Sequence, residues 1–146
     1  MILAHLIVGL IPVENNFSWF WFLGSIFPDV DHIFIIFKNK IFSLKKLTDT
    51  IANEEKYGIK YKTKYLHSVL GGIIISAVVF FVNFSGGIYF FLAYILHLTL
   101  DFPDKDEKQY FYPLKLKIKG WLPIFSKTEI IFTAILIIFL IIRYKI

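Results

Sequence analysis

The sequence has no cysteine, one methionine, and charge on only 18% of its 146 residues. Without thiols there can be no disulfide scaffold, no cysteine nucleophile and no cysteine-ligated zinc. Any metal must therefore be held by His, Asp or Glu. Disorder and collagen-like repeats are excluded as well, because 57% of the residues are hydrophobic and 19% aromatic. Soluble domains carry about 45–50% apolar residues, and a soluble chain this oily would leave large apolar patches in water. The net charge of +5 would ordinarily raise nucleic acid as a partner. In so apolar a chain it points to a membrane surface instead, and the lysines are mixed with acids and apolar residues without a nucleic-acid-binding motif.

Five apolar stretches, at 1–13, 17–37, 66–84, 88–100 and 130–142, contain no Lys or Arg. Their runs are continuous and lack the period-two alternation of a β-barrel. The expected fold is all-α: one membrane-embedded domain over 1–146, a multi-pass transmembrane bundle of four to five short helices near 1–13, 17–37, 66–84, 88–101 and 128–143. A crossing takes about 20 apolar residues, with about 17 as the lower limit. The stretch 66–84 meets this, whereas 17–37 is long enough but is interrupted by Pro28-Asp29-Val30-Asp31-His32. The first stretch lacks a basic n-region, so it reads as a helix and not a cleaved signal. Short turns are expected at Glu14-Asn15-Asn16 and Ser85-Gly86-Gly87. No internal repeat, low-complexity linker or second-domain boundary is visible.

Orientation follows from the lysines. The link 38–65 holds eight Lys against Asp49, Glu54 and Glu55, and the positive-inside rule places it in the cytoplasm. The link 101–129 then faces the same side, with Trp19, Trp21 and Tyr89 at the opposite interface. Arg143 and Lys145 face outward, against the rule, as they would if the last helix were tilted or interfacial. Gly120-Trp121-Leu122-Pro123-Ile124-Phe125 reads as an interfacial anchor or as a lid.

The four histidines, His5, His32, His67 and His97, all lie in or beside apolar stretches. In the up-and-down topology they converge on the cytoplasmic end of the bundle. Ionisable groups inside a membrane are costly and point to function. His97 and Asp101 are spaced i, i+4, so they share a helical face. Asp29, Asp31 and His32 cluster at the proline, where the backbone is free to turn ligands inward. Imidazole and carboxylate together suit zinc, manganese or iron. The expected centre binds a divalent ion, zinc or manganese first, through His5, His32, His67, His97 and Asp101. Asp29 and Asp31 are the candidate catalytic carboxylates, as further ligand or general base. Ser68 is either a support for this centre or a helix cap.

These motifs resemble the YdjM-like family of small multi-pass, LexA-binding, inner-membrane-associated proteins, whose members are assigned as metal-dependent hydrolases. The resemblance runs from residue 1 to about residue 114. It is carried by Ala4-His5-Leu6 with Gly9, by Gly24 through Pro28-Asp29-Val30-Asp31-His32, by His67-Ser68, by His97-Leu98-Thr99-Leu100-Asp101, and by Tyr112-Pro113-Leu114. The family's middle motif reads His-Arg-x-x-Thr-His-Ser, where this chain has Lys62-Thr63-Lys64-Tyr65-Leu66-His67-Ser68. The first His and the Arg are absent, leaving Lys62 or Lys64 to supply positive charge as a point charge. The resemblance implies a hydrolase without naming its substrate. The basic link favours an ester or phosphoester derived from phospholipid, with the bilayer as partner and the site near the cytoplasmic face of the cell membrane. The alternative is a non-catalytic metal-binding protein or transporter.

Overall fold

A computed structural model describes residues 2–11, 16–124 and 126–144. The turn expected at residues 14–16, Phe125 of the Trp121 segment and Lys145 lie wholly or partly outside those residues.

The described residues are mostly helical. Helix α1 spans Ile2–Gly9 and α2 spans Ser18–Ile26, followed by a 3-10 turn at Phe27–Asp29 and α3 at Val30–Lys38. The basic link folds into α4 (Leu44–Ala52) and α5 (Glu54–Tyr57). Then come α6 (Val69–Val82), α7 (Phe84–Asp101), the strands β1 (Glu107–Lys108) and β2 (Ile118–Lys119), and α8 (Lys127–Tyr144). The strands form an antiparallel hairpin with Glu107 opposite Lys119. The all-α expectation therefore needs one correction, a small hairpin inside the second polar link.

Among the described residues two segments are long and apolar enough to cross a membrane: Ser18–Lys38, with mean hydropathy 1.4, and Phe84–Asp101, with mean hydropathy 1.3. At 1.5 Å per residue α7 is about 27 Å long, close to the hydrocarbon thickness of about 30 Å. Pro28 does not interrupt the first segment as the sequence suggested. It sits in the first turn of the 3-10 segment, where its missing N–H leaves no bond unmade, and helix resumes at Val30. The 66–84 stretch is shorter than expected, because its helix α6 has 14 residues. Ser68 caps α6 by accepting the Gly71 N–H at 3.1 Å. Ser85-Gly86-Gly87 is not a turn but the first turn of α7. The reversal falls at Asn83, whose side chain accepts the Gly86 N–H at 2.7 Å.

The core is thin, and α7 is its axis. Helix α7 packs against α2 and α6, and α1 packs against α2. Small residues make these approaches possible, as is usual between membrane helices. Gly72 and Ser76, one turn apart, are the buried residues of α6, and a Cβ on Gly72 would run into the Tyr94 ring. Gly24 of α2 lies against the Phe90 backbone of α7. Phe90, Tyr94, Leu98 and Tyr110 form the apolar centre, with Phe20, Phe27 and Val79 packed around it. Outward faces stay apolar as well: Ile74, Val78 and Phe81 on α6 and Ile135, Ile138 and Phe139 on α8 are exposed. Water does not tolerate continuous patches of that kind, and lipid does.

Candidate metal centre

Each sequence-predicted group arrives at the centre on a different piece of backbone. His5 comes from α1, Asp29 from the 3-10 turn, and Asp31 and His32 from the first turn of α3. His67 comes from the residue before the α6 cap, and His97 and Asp101 from the last turns of α7. Asp29 and His32, spaced i, i+3, lie within reach of each other, at 3.1 Å. His5, Asp31, His67, His97 and Asp101 are buried, while Asp29 and His32 keep 20% and 18% of their side chains exposed. Those two residues are the open side of the cluster.

The three buried imidazoles that face Asp101 are held in one way. His97 donates from Nδ1 to the Ser25 carbonyl at 2.6 Å. His67 Nδ1 lies 3.1 Å from Asp31 Oδ2, and His5 Nδ1 lies 3.3 Å from Asp29 Oδ2. With each Nδ1–H so engaged, each Nε2 presents a lone pair, the form in which histidine binds metals. The Nε2 atoms of His5, His67 and His97 have no hydrogen-bond partner among the described residues. They lie 3.3 Å from Asp101 Oδ1 (His5) and 3.4 and 3.6 Å from Asp101 Oδ2 (His67 and His97). Those separations are made without hydrogen-bond alignment. They match the ligand–ligand edge of about 3.3 Å that tetrahedral coordination at about 2.0–2.1 Å requires.

Among the described residues three overlapping groups could hold an ion: His5 with His97 and Asp101; Asp29 with His67 and His97; and Asp31 with His32 and His67. His97 is common to the first two. Its ring stacks on that of His5 at 3.7 Å between centroids and meets His67 edge-on at 5.6 Å. The donor set of imidazole and carboxylate without sulfur fits a borderline or hard divalent ion. The residues present therefore fit a metal, and its identity is not fixed by them.

Asp31 is buried within the cluster. Its Oδ2 accepts the Thr63 backbone N–H at 2.7 Å as well as the His67 Nδ1–H, so it is placed as the acceptor that orients His67. Ser68 also has its place settled, as the α6 cap.

Sequence reasoning missed the acidic side of the centre. Lys62, and not Lys64, carries positive charge to it: Lys62 Nζ lies 2.8 Å from Asp101 Oδ1. Lys64 instead lies over the rings of Tyr65 and Tyr112, at 5.2 and 5.1 Å. Lys62 also meets Asp104 and Asp106, and Lys108 pairs with Asp106 at 3.0 Å. Burial works against the charge on Lys62, but the carboxylates of Asp101, Asp104 and Asp106 outweigh it and hold its pKa well above the usual lysine range. Burial pushes the Tyr110 phenol up and the Lys108 ammonium down. The signal available in the sequence was the acid spacing in Asp101-Phe102-Pro103-Asp104-Lys105-Asp106.

The strap between α5 and α6 closes over the centre. Tyr61 is buried, shares a 2.7 Å hydrogen bond with Thr50 of α4, and sets its ring edge-on to His32 at 5.8 Å. Residues 61–68 thus supply Tyr61, Lys62, the Thr63 N–H and His67 to one site.

Segments apolar and long enough to span a bilayer and a buried imidazole–carboxylate cluster define the class, a mostly helical protein with a centre that could hold a metal ion. The chain belongs to the YdjM inner membrane protein family, whose profile matches residues 2–146. No curated protein and no solved structure matches it.

Proposed function

We propose that this protein is a membrane-embedded, metal-dependent hydrolase acting on an ester or phosphoester. The observation that carries the reading is the convergence of three unpartnered, buried Nε2 atoms on Asp101. Such groups are costly to bury without a partner, and a divalent ion is the partner their chemistry selects. A zinc or manganese ion held there supplies Lewis acidity to a bound ester and makes nearby water more acidic.

The chain's own residues then divide the work. His5, His97 and Asp101 hold the ion, with His67 Nε2 beside them and His32 at the open rim. Asp31 keeps His67 in its tautomer through Nδ1. Asp29, on the open side and touching His5, His32, His67 and His97, takes the proton from attacking water as general base. Lys62 fixes the Asp101 carboxylate. Read as a multi-pass bundle, the protein has this centre near the cytoplasmic face, beside the exposed Lys38 at the end of α3, Lys40, and Lys45 and Lys46 of α4. That cationic surface favours anionic lipid headgroups, so a lipid-derived phosphoester is the preferred substrate class.

The test is turnover of phosphoesters and carboxyesters by detergent-purified protein loaded with zinc or manganese. Asp29→Asn, assayed with metal in excess so that its ion stays bound, should lose turnover. Metal-dependent flux into liposomes without turnover would favour a transporter, the reading that the helix irregularity at Phe27–Asp29 supports. A protein that retains neither ion would refute both.

A further inference from the structure

We infer that Lys62 is a resident cation, whose ammonium fills a carboxylate pocket that would otherwise take up a metal ion of its own. The inference rests on reading the histidine side of Asp101 as a metal centre, and concerns the opposite side. Lys62 Nζ lies 2.8 Å from Asp101 Oδ1, 2.9 Å from Asp104 Oδ2 and 3.3 Å from Asp106 Oδ2. The four side chains are nearly withdrawn from solvent, at 9%, 0%, 1% and 6% exposure. Three carboxylates thus surround the Lys62 ammonium, with Lys108 beside Asp106.

A buried charge needs a partner of opposite sign, and removing one member leaves the rest uncompensated. Lys108 cannot replace Lys62. It reaches Asp106 Oδ1 at 3.0 Å and gives hydrogen bonds to the Asp104 and Asp106 carbonyls, but makes no ion pair with Asp101. Oxygen donors from three acids are the ligand set that hard divalent ions such as Mn²⁺, Mg²⁺ and Ca²⁺ prefer. An ammonium is a compact point charge with donors only, so it can sit among carboxylates where an ion would sit. Because it sits there, Asp101 is divided. Its Oδ1 is shared between Lys62 and His5 and its Oδ2 faces His67 and His97, so metal binding is confined to the histidine side.

The test uses manganese alone, with no substrate. Wild type and Lys62→Gln are equilibrated with Mn²⁺ in detergent, and bound metal per chain is measured by elemental analysis and electron paramagnetic resonance. Lys62→Gln should bind one Mn²⁺ more than wild type, and adding Asp104→Asn and Asp106→Asn should remove that extra ion. Unchanged stoichiometry in folded Lys62→Gln would overturn the inference while leaving the histidine centre intact. If wild type binds none and Lys62→Gln binds one, the histidine-side reading fails and this one stands. Should Lys62→Gln not fold, the triple variant decides. Recovery of folding on removing the two acids supports the charge role, and failure to recover shows that Lys62 acts by packing and overturns it.

Discussion

Replacing Asp31 separates orientation of a ligand from support of the fold. Asp31 Oδ2 accepts two hydrogen bonds, from the Thr63 N–H at 2.7 Å and from His67 Nδ1 at 3.1 Å. In Asp31→Asn the amide oxygen can take the Oδ2 place and still accept from both donors, but without the charge that strengthens the bond from His67 Nδ1–H. The carboxylate that holds the imidazole with Nε2 free is then replaced by a weaker, neutral acceptor. Loss of such a supporting contact costs about 10–100-fold in metal affinity, or about 1.4–2.7 kcal/mol. Asp31→Ala removes both bonds and leaves the Thr63 N–H buried without a partner, adding about 1–3 kcal/mol of lost stability. Zinc affinity by competition with a chromophoric chelator, and thermal unfolding of the metal-free proteins, read the two effects separately. Asn should weaken zinc binding with little change in unfolding, and Ala should do both. Wild-type zinc affinity in Asp31→Asn would refute the reasoning.

Three other outcomes follow from the same geometry. Ser68→Ala should cost about 0.5–2 kcal/mol by removing the α6 cap and leave metal affinity unchanged, measured by unfolding and chelator competition together. Gly24→Ala should destabilise by about 1–3 kcal/mol, because its Cβ would overlap the Phe90 carbonyl at the α2–α7 contact, and denaturant unfolding in detergent measures it. Metal affinity should fall as the pH is lowered through the imidazole range, since protons compete for the same Nε2 lone pairs. Isothermal titration at several pH values should show proton release on binding.

What could be read from the sequence was the meeting of the histidines. Their positions follow from which ends of which apolar runs they occupy, and helix direction then brings His5, His67 and His97 to one end. The i, i+4 pairing of His97 with Asp101 needed only helical periodicity. The different surroundings of Asp29, beside His5 and His32, and of Asp31, against the Thr63 N–H and His67, were not legible, because they depend on how the 3-10 turn and the 61–68 strap fold together. Pro28 read as a break because proline disrupts helix interiors, yet at the start of a 3-10 turn it has no bond to lose. Ser85-Gly86-Gly87 read as a turn from composition. Asn83 capping prevailed, and Gly86 and Gly87 serve instead to admit the rings of Phe20 and Phe80. Lys62 was hidden among eight lysines of one link, since only the folded strap distinguishes it from Lys64.

Zinc-edge X-ray absorption of the zinc-loaded protein tests the central claim most directly. Three buried Nε2 atoms facing Asp101 require a first shell of nitrogen and oxygen near 2.0–2.1 Å, with the outer-shell scattering of at least two imidazoles and no sulfur. A shell of oxygen alone, or no retained zinc, would contradict it.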